Sequence, residues 1–400
     1  GDSEGFSDRL DLSQLDGDTG LRITGIATDD RSGSALATVG DVNGDGIDDI
    51  LIGAFAADPG GKQKAGEAYV VYGSTSGFAA DISLAALDEN SGLRIVGLNA
   101  GDKLGRSVGS AGDINEDGLG DIVIGAWGAD PNGNAHAGQS YVIFGSGSGF
   151  AAGIDLASLD GANGFQINGA LQADYSGYSV STAGDFNNDG FDDILIGAFG
   201  GDPQGRNKAG ETYVVFGKNA AFPPQFELSS LDGSNGFRLD GIDSSDESGR
   251  SVGLAGDFNG DGVGDLLIGA PGADPDGVIG AGESYLVLGQ DTGFVEAIEL
   301  SRLDGTNGLS ITGFSSDGQF GSRVSGGGDV DGDGLDDVVI TAGGAGESFV
   351  VLGRAGGLPI HLDASALNGT DGFRLAVAAP LGIAAHSASL VPDFNGDGLD

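Results

Sequence analysis

Short runs of consecutive apolar residues recur along the chain at a regular spacing. The run at residues 49–54 returns with starts at Asp121, Asp193, Asp265 and Asp337. A Gly-led segment of small residues precedes each run, and a second apolar segment, first seen at 68–73, follows it. A segment that alternates apolar and polar residues, first seen at 21–25, completes the unit. No stretch has the 3.6-residue period of an amphipathic helix, so the pattern predicts four short strands per unit.

The central runs of each unit are apolar on consecutive positions, which indicates strands buried on both faces of their sheet. A β-propeller buries strands in this way because each four-stranded blade packs between two neighbours. A sandwich would show alternation, with one solvent-exposed face. We therefore predict an all-β fold, a β-propeller of four-stranded antiparallel blades forming a single domain over residues 1–400. The predicted units are 27–98, 99–170, 171–242, 243–314 and 315–378, with a partial unit at 379–400.

The fifth unit is shorter than the other complete units. Successive units start 72 residues apart, but the last gap is 64 residues. The missing residues fall in the loop that carries an Asp-Pro pair in the first four units, at 58–59, 130–131, 202–203 and 274–275. The strands on either side of the loop are intact, so the pattern predicts a notch beside taller loops.

An acidic motif, D-x-[N/D]-x-D-G-x-x-D, joins the small-residue segment to the apolar run in every unit. Calcium takes about six to eight oxygen ligands, and alternate residues of a tight loop can point their oxygens at one centre. The glycine at the sixth position permits a sharp turn that a Cβ would obstruct. The carbonyl at the seventh position can supply a backbone oxygen, and the aspartate at the ninth can close the cage. The motif therefore predicts calcium loops, with about five to six Ca²⁺ ions bound.

The predicted ligands occupy the same positions in each copy. They are Asp41, Asn43, Asp45, Ile47 and Asp49 in the first loop; Asp113, Asn115, Asp117, Leu119 and Asp121 in the second; Asp185, Asn187, Asp189, Phe191 and Asp193 in the third; Asp257, Asn259, Asp261, Val263 and Asp265 in the fourth; and Asp329, Asp331, Asp333, Leu335 and Asp337 in the fifth. The sixth copy offers Asp393, Asn395 and Asp397 and has no closing acid before Asp400.

The motif has two other interpretations. An EF-hand needs a glutamate at its twelfth position and flanking helices, but the twelfth residue here is Ile52 in the first copy, and a strand pattern follows. An Asx-rich turn without metal is the other possibility. Six copies in register favour the metal.

Composition narrows the classes of function. The chain has 60 acidic and 17 basic residues, with a net charge of −43, which disfavours nucleic acid and anionic lipid as partners. It has no Cys, so it forms no disulfide and carries no thiol chemistry. No apolar run is long enough to span a membrane. Extracellular calcium-binding modules have low affinity, with Kd values of about 10⁻⁴–10⁻³ M. We therefore expect a secreted or cell-surface protein. Because the sequence begins without Met and ends inside a calcium loop, we interpret it as a piece of a longer protein.

The unit resembles the FG-GAP repeat of integrin α-chain propellers, in the bacterial form found in large surface or haemolysin-like proteins. Phe320-Gly321 before a calcium loop, Gly269-Ala-Pro271 after one, and residues 255–262 carry the resemblance. The resemblance implies a propeller that is usually seven-bladed, of which about five complete blades and parts of others lie in this window. GAP becomes Gly-Ala-Phe or Gly-Ala-Trp in the first three units, which weakens an inference of integrin-type ligand binding.

We predict a non-catalytic, calcium-binding scaffold for adhesion or ligand binding. A polysaccharide-binding or carbohydrate-active propeller and a structural spacer in a large surface protein remain as alternatives. Paired carboxylates could serve glycoside hydrolysis, but no acid pair breaks the repeat symmetry, and the three histidines occupy non-equivalent positions. A protein or polysaccharide ligand is expected on the loop face opposite the calcium loops, near the single Trp, Trp127.

Overall fold

The computed structural model describes residues 11–17, 20–150, 153–291, 293–376 and 387–390. These residues form five antiparallel sheets, here called blades 1 to 5, each with four strands named A to D in chain order. Blade 1 comprises Ala35–Thr38, Ile50–Ala54, Glu67–Val71 and Gly92–Val96; blade 2 Ser107–Gly112, Asp121–Ala126, Gln139–Ile143 and Gly164–Asn168; blade 3 Ser179–Gly184, Asp193–Ala198, Glu211–Val215 and Gly236–Asp240; blade 4 Ser251–Gly256, Asp265–Ala270, Glu283–Val287 and Gly308–Thr312; blade 5 Phe320–Gly328, Asp337–Ala342, Glu347–Val351 and Gly372–Ala376. The predicted β-propeller is confirmed.

The core lies between successive blades. Strands B and C are buried along nearly their whole length, as their continuous apolar runs predict. A large aromatic side chain is fully buried at the same place in every strand C; these are Tyr69, Tyr141, Tyr213, Tyr285 and Phe349. Each main hydrophobic cluster draws its members from two adjacent blades. Apart from a smaller cluster within blade 1, the blades have no separate cores, and stability comes from stacking one blade on the next.

The A strands run side by side around the central axis, where space is limiting. The glycine in the GAP position of strand B approaches the glycine that opens the next blade's strand A. A Cβ on Gly53 would lie 2.1 Å from the Gly105 carbonyl oxygen, and one on Gly197 would lie 2.0 Å from that of Gly249. Neither backbone can yield at such a distance, so glycine is required by the packing of blade on blade.

A short fifth strand links blades 3, 4 and 5 to their predecessors. It lies in the C–D connection, which the sequence shows only as a recurrent short segment, and pairs in parallel with strand D of the preceding blade. Gln225–Glu227 pairs with strand D of blade 2, Ala297–Glu299 with that of blade 3, and His361–Asp363 with that of blade 4. Asp81–Ser83 likewise pairs with Arg22–Thr24. Sequence analysis predicted four strands per unit and missed this one.

The B–C loops differ between blades as predicted. In blades 1 to 4 each loop carries a short 3₁₀ turn that starts at the proline of the Asp-Pro pair, for example Pro131–Gly133. In blade 5 only residues 343–346 separate strands B and C. Within the described residues, no helix is long and apolar enough to cross a membrane.

Candidate metal centres and the opposite loop face

The five acidic loops connect strands A and B and share one backbone geometry. In the first loop, Asp41 Oδ1 accepts from Gly44 N at 2.7 Å and Asp45 N at 3.1 Å, while its Oδ2 accepts from Gly46 N at 2.7 Å. Asn43 Oδ1 accepts from Asp45 N at 2.9 Å. The side chains at the first and third positions therefore fold the chain around their own oxygens, as short polar side chains do in Asx turns.

Two positions of each loop have left-handed backbone. The sixth is glycine in every described loop, with φ between +84° and +94°, as the sequence predicts. The fourth is also left-handed, even where it carries a side chain, with φ +59° at Glu116 and +55° at Asn188. The loop is thus a defined structure and not an irregular connection.

The closing aspartate is the most buried member of each loop. Asp193 has no exposed surface; its Oδ2 accepts from Phe186 N at 3.2 Å and its Oδ1 from Gly217 N at 2.9 Å. The same two contacts occur at Asp49, Asp121, Asp265 and Asp337. This side chain therefore ties the start of the loop to the residues that follow strand C.

Burial makes these closing carboxyls costly to ionise. Burial is the main cause that raises the pKa of Asp193 to about 8 and that of Asp265 to about 7, and nearby loop carboxylates add to it. The pKa values of Asp49, Asp121 and Asp337 are raised for the same reason. Backbone N–H donors oppose the shift only in part. A divalent cation among these oxygens favours the charged form and offsets that cost.

The donor set fits calcium by its chemistry. In the fifth loop, one carboxylate oxygen from each of Asp329, Asp331 and Asp333 lies within 4.8 Å of the others. Oxygens bound at about 2.3–2.6 Å from one ion stand at such separations. In the first four loops the middle residue is Asn, whose amide oxygen is also a hard ligand. All of these groups are oxygens, and Ca²⁺ prefers oxygen ligands. The residues that would hold the ion are those predicted from the motif.

The loops also contact one another from blade to blade. Gly120 N donates to the Asp41 carbonyl oxygen at 2.9 Å, and Asp113 N donates to Asp192 Oδ2 at 2.8 Å. Asp257 N makes the equivalent bond to Asp336 Oδ2 at 2.7 Å. These hydrogen bonds couple the conformation of one loop to the position of the next blade. The sixth predicted loop lies outside the described residues.

The opposite face carries the B–C loops and the D–A connections. The face of the acidic loops carries the same residue types in every blade, but the opposite face carries different residues from blade to blade. Trp127 packs against Tyr175 and Tyr178, with ring centroids 5.5 and 5.7 Å apart, and the Lys103 amine lies 3.6 Å from the Trp127 ring centroid. Trp127 therefore lies at this rim, as predicted.

Sequence analysis missed the arginines of this face. Arg106 and Arg250 directly precede the A strands of blades 2 and 4, Arg323 lies within strand A of blade 5, and all three line the mouth of the axial cavity. The available signal was the recurrence of Arg-Ser-Val at 106–108 and 250–252, which marks one place in two blades.

Comparison with known proteins agrees with the architecture. The FG-GAP repeat family model matches residues 32–71, 104–143, 176–215, 248–287 and 320–357, and each match covers strands A to C of one blade. Integrin alpha-5 from Xenopus laevis is 31% identical over 261 residues, which is 64% of this chain and 21% of that protein. Integrin alpha-PS2 from Drosophila melanogaster is 31% identical over 197 residues, which is 48% of this chain and 13% of that protein.

A different kind of protein also matches the repeats. Phosphatidylinositol-glycan-specific phospholipase D from Bos taurus is 35% identical over 190 residues, which is 46% of this chain and 21% of that protein. The chain thus spans about a fifth or less of the length of these relatives. Five repeat matches in register with five propeller blades place this chain in the FG-GAP repeat family.

Proposed function

We propose that this chain is a calcium-stabilised, non-catalytic propeller scaffold of a secreted or cell-surface protein, and that it presents its B–C loop face to a protein or polysaccharide ligand. The observation that carries the proposal is the fivefold repetition of one oxygen-rich loop, in contact from blade to blade. A catalytic site is expected once per molecule, whereas a structural metal site can recur with the repeat.

The buried acids outside the loops support a structural role. Glu211 accepts from the Tyr213 hydroxyl at 2.5 Å, and Glu283 accepts from that of Tyr285 at 2.6 Å. Glu67 and Tyr69 form the same pair. These acids occupy one repeated position at the start of strand C, where they satisfy a buried hydroxyl. The similarity to integrin α-chains supports ligand binding. The phospholipase D similarity spans the repeats and a minority of that enzyme.

Thermal unfolding tests the calcium part of the proposal. Calcium that binds only the folded chain stabilises it by mass action, by about 2.7 kcal/mol per site at a hundredfold excess over Kd. We expect the melting temperature to rise with added calcium and to fall with a chelator, with magnesium at equal ionic strength as the control. Melting that is indifferent to calcium and chelator would contradict the proposal.

A further inference from the structure

The A strands enclose a cavity of about 530 Å³ on the propeller axis. Its lining includes residues from strand A of all five blades and residues 387–389. Ser34, Arg106, Tyr178 and Arg250 lie where their strands begin, which is the end facing the B–C loops and opposite the calcium loops. The cavity therefore opens on the face that lacks repeat symmetry.

Three arginines converge at this mouth. Arg106 and Arg250 both lie over the ring of Tyr178, with guanidinium carbons 4.7 and 5.5 Å from its centroid. Arg323 is partly buried beside them and donates to the Ser322 carbonyl oxygen at 2.7 Å. Only 17 of the 400 residues are Lys or Arg. A cluster of three arginines therefore makes the local charge positive in a chain that is strongly acidic overall.

Carboxylates neutralise only part of this cluster. Arg250 pairs with Glu247 at 2.6 Å. Among the residues that the structure describes, neither Arg106 nor Arg323 has a carboxylate within 4.0 Å. Burial lowers the pKa of the Arg323 guanidinium, and the charges of Arg106 and Arg250 lower it further. Like charges thus face one another in a partly desolvated cavity, an arrangement that a bound anion relieves.

Stacking on aromatic rings does not satisfy the hydrogen-bond donors of the arginines. It covers the flat face of a guanidinium, while the five N–H donors point outward in its plane. Arg106 makes one side-chain hydrogen bond among the described residues, from Nη2 to the Tyr178 hydroxyl at 3.0 Å. Its contacts with Phe55 and Tyr178 fix the orientation of the fork. The other N–H donors of Arg106 can therefore bind an acceptor within the cavity.

We propose that the mouth of the axial cavity binds an oxyanion, either a carboxylate or a sulfate, through Arg106 and Arg323, with Arg250 and Tyr178 beside them. Guanidinium forks match such groups with two parallel hydrogen bonds. Serines of neighbouring strands, such as Ser107 and Ser251, line the same cavity and offer neutral donors. The net charge of −43 repels a long polyanion, so the ligand carries one or a few acidic groups. This inference deepens the proposed function by naming the ligand chemistry, and rests on it for the binding face.

The test uses Trp127 as a built-in reporter. It is the only Trp and packs against Tyr178, so a bound anion will change its fluorescence. The whole chain is titrated with succinate, with sulfate, and with the peptide acetyl-Gly-Asp-Gly-amide, at constant ionic strength and with calcium in excess. Calorimetry repeats each titration, so that a spectroscopically silent Trp127 does not decide the result.

We expect a saturable response to at least one of these probes, weakened at least tenfold in the Arg106→Gln/Arg323→Gln variant. Arg302→Gln is the matched control, because Arg302 is exposed and lies outside the cavity lining. Binding of sulfate alone would identify a site for a small inorganic anion. Binding of succinate would identify a site for a free organic acid, and binding of the peptide would identify a site for an acidic side chain of a partner protein. No saturable binding of any probe, or full affinity in the double variant, overturns the inference.

Calcium-dependent melting of the double variant separates the two proposals. An oxyanion site that fails to bind leaves the calcium response intact, so the scaffold proposal survives. A chain that melts without regard to calcium but binds succinate contradicts the scaffold and retains the site.

Discussion

The two loop faces of this propeller differ in how closely their residues repeat from blade to blade. On the face of the acidic loops, each blade repeats the same backbone turn and the same closing aspartate. On the opposite face, equivalent positions carry Ser34, Arg106, Tyr178, Arg250 and Ser322, and one B–C loop is short. Repetition is what structural metal sites require, because every blade interface needs the same support. Divergence is what a single ligand site requires, because only one arrangement of groups around the axis recognises it.

The largest expected effect comes from a closing aspartate. Asp193→Ala leaves the buried amides of Phe186 and Gly217 without their acceptor and removes a predicted calcium ligand. Unfolding free energy should fall by about 2–5 kcal/mol. Denaturant unfolding in calcium measures it. Asp189→Ala, at an exposed predicted ligand of the same loop, should lower the free energy of unfolding less. Equal losses in the two variants would show that burial of the closing position is unimportant.

The next effect belongs to the opposite face and concerns pH. Burial, with the Glu211 charge adding, raises the pKa of Asp174 to about 7 from its ordinary value of 3.8. The folded state then holds a proton that the unfolded state releases, so the contribution of this group is full below pH 4 and is lost as pH rises through 7. Between pH 5 and pH 8 that loss is about 2 kcal/mol.

Asp174→Asn tests this because the amide oxygen can still accept from Leu171 N, which donates to Asp174 at 2.7 Å. The variant should gain about 2 kcal/mol relative to wild type on going from pH 5 to pH 8, measured by denaturant unfolding at each pH. Asp291→Asn, at an exposed position, is the control. A wild-type and variant difference that is the same at both pH values would disprove the shift.

A smaller effect should distinguish the fifth loop from its relatives. Its middle residue is Asp331, where the first four described loops have Asn, and added ligand charge strengthens calcium binding. Asp331→Asn should weaken calcium binding at that loop by about 1 kcal/mol, or about fivefold. Asn187→Asp should strengthen the third loop by a similar amount. Calorimetric titration against wild type measures both, and unchanged affinity in the pair would contradict the charge argument.

The smallest stability effect is expected from trimming a tall B–C loop. Blade 5 connects strands B and C through residues 343–346, so a loop of that length is compatible with the fold. Shortening residues 128–136 of blade 2 removes the carbonyls that accept from Ala173 N and Tyr175 N. This should cost only about 1 kcal/mol of unfolding free energy, because the shorter loop is easier to close, and should leave calcium binding unchanged. If the Asp113→Ala/Asp117→Ala variant, still folded, lost a ligand that the shortened loop keeps, our assignment of faces would be wrong.

Sequence reasoning was strongest where a residue's role is settled inside its own repeat. The propeller architecture follows from continuous apolar strands such as 121–126, and the short loop of blade 5 follows from a difference in spacing. The structure confirms both. The ligand assignments in the acidic loops stay predictions, which the Asp189→Ala and Asp331→Asn variants test.

The features that sequence reasoning missed depend on distant segments meeting. The fifth strand is three residues long and pairs with a neighbour about 59 residues earlier, too short and too remote for a periodic signal. The arginine cluster joins Arg106, Arg250 and Arg323 from three blades, with Arg323 one step out of register relative to the other two. Only the stacking of successive blades around a common axis brings such residues together.

The parallel fifth strand has a consequence for synthesis. When strand D of blade 2 leaves the ribosome at Asn168, its outer edge stays unpaired until Glu227 follows, and Glu227 then accepts from Asn168 Nδ2 at 2.7 Å. Strand D of blades 2, 3 and 4 is thus completed by a strand of the following blade, so the nascent chain carries an open edge until that strand emerges. Cutting this chain at a repeat boundary would leave that edge permanently exposed, so excised repeats are expected to aggregate.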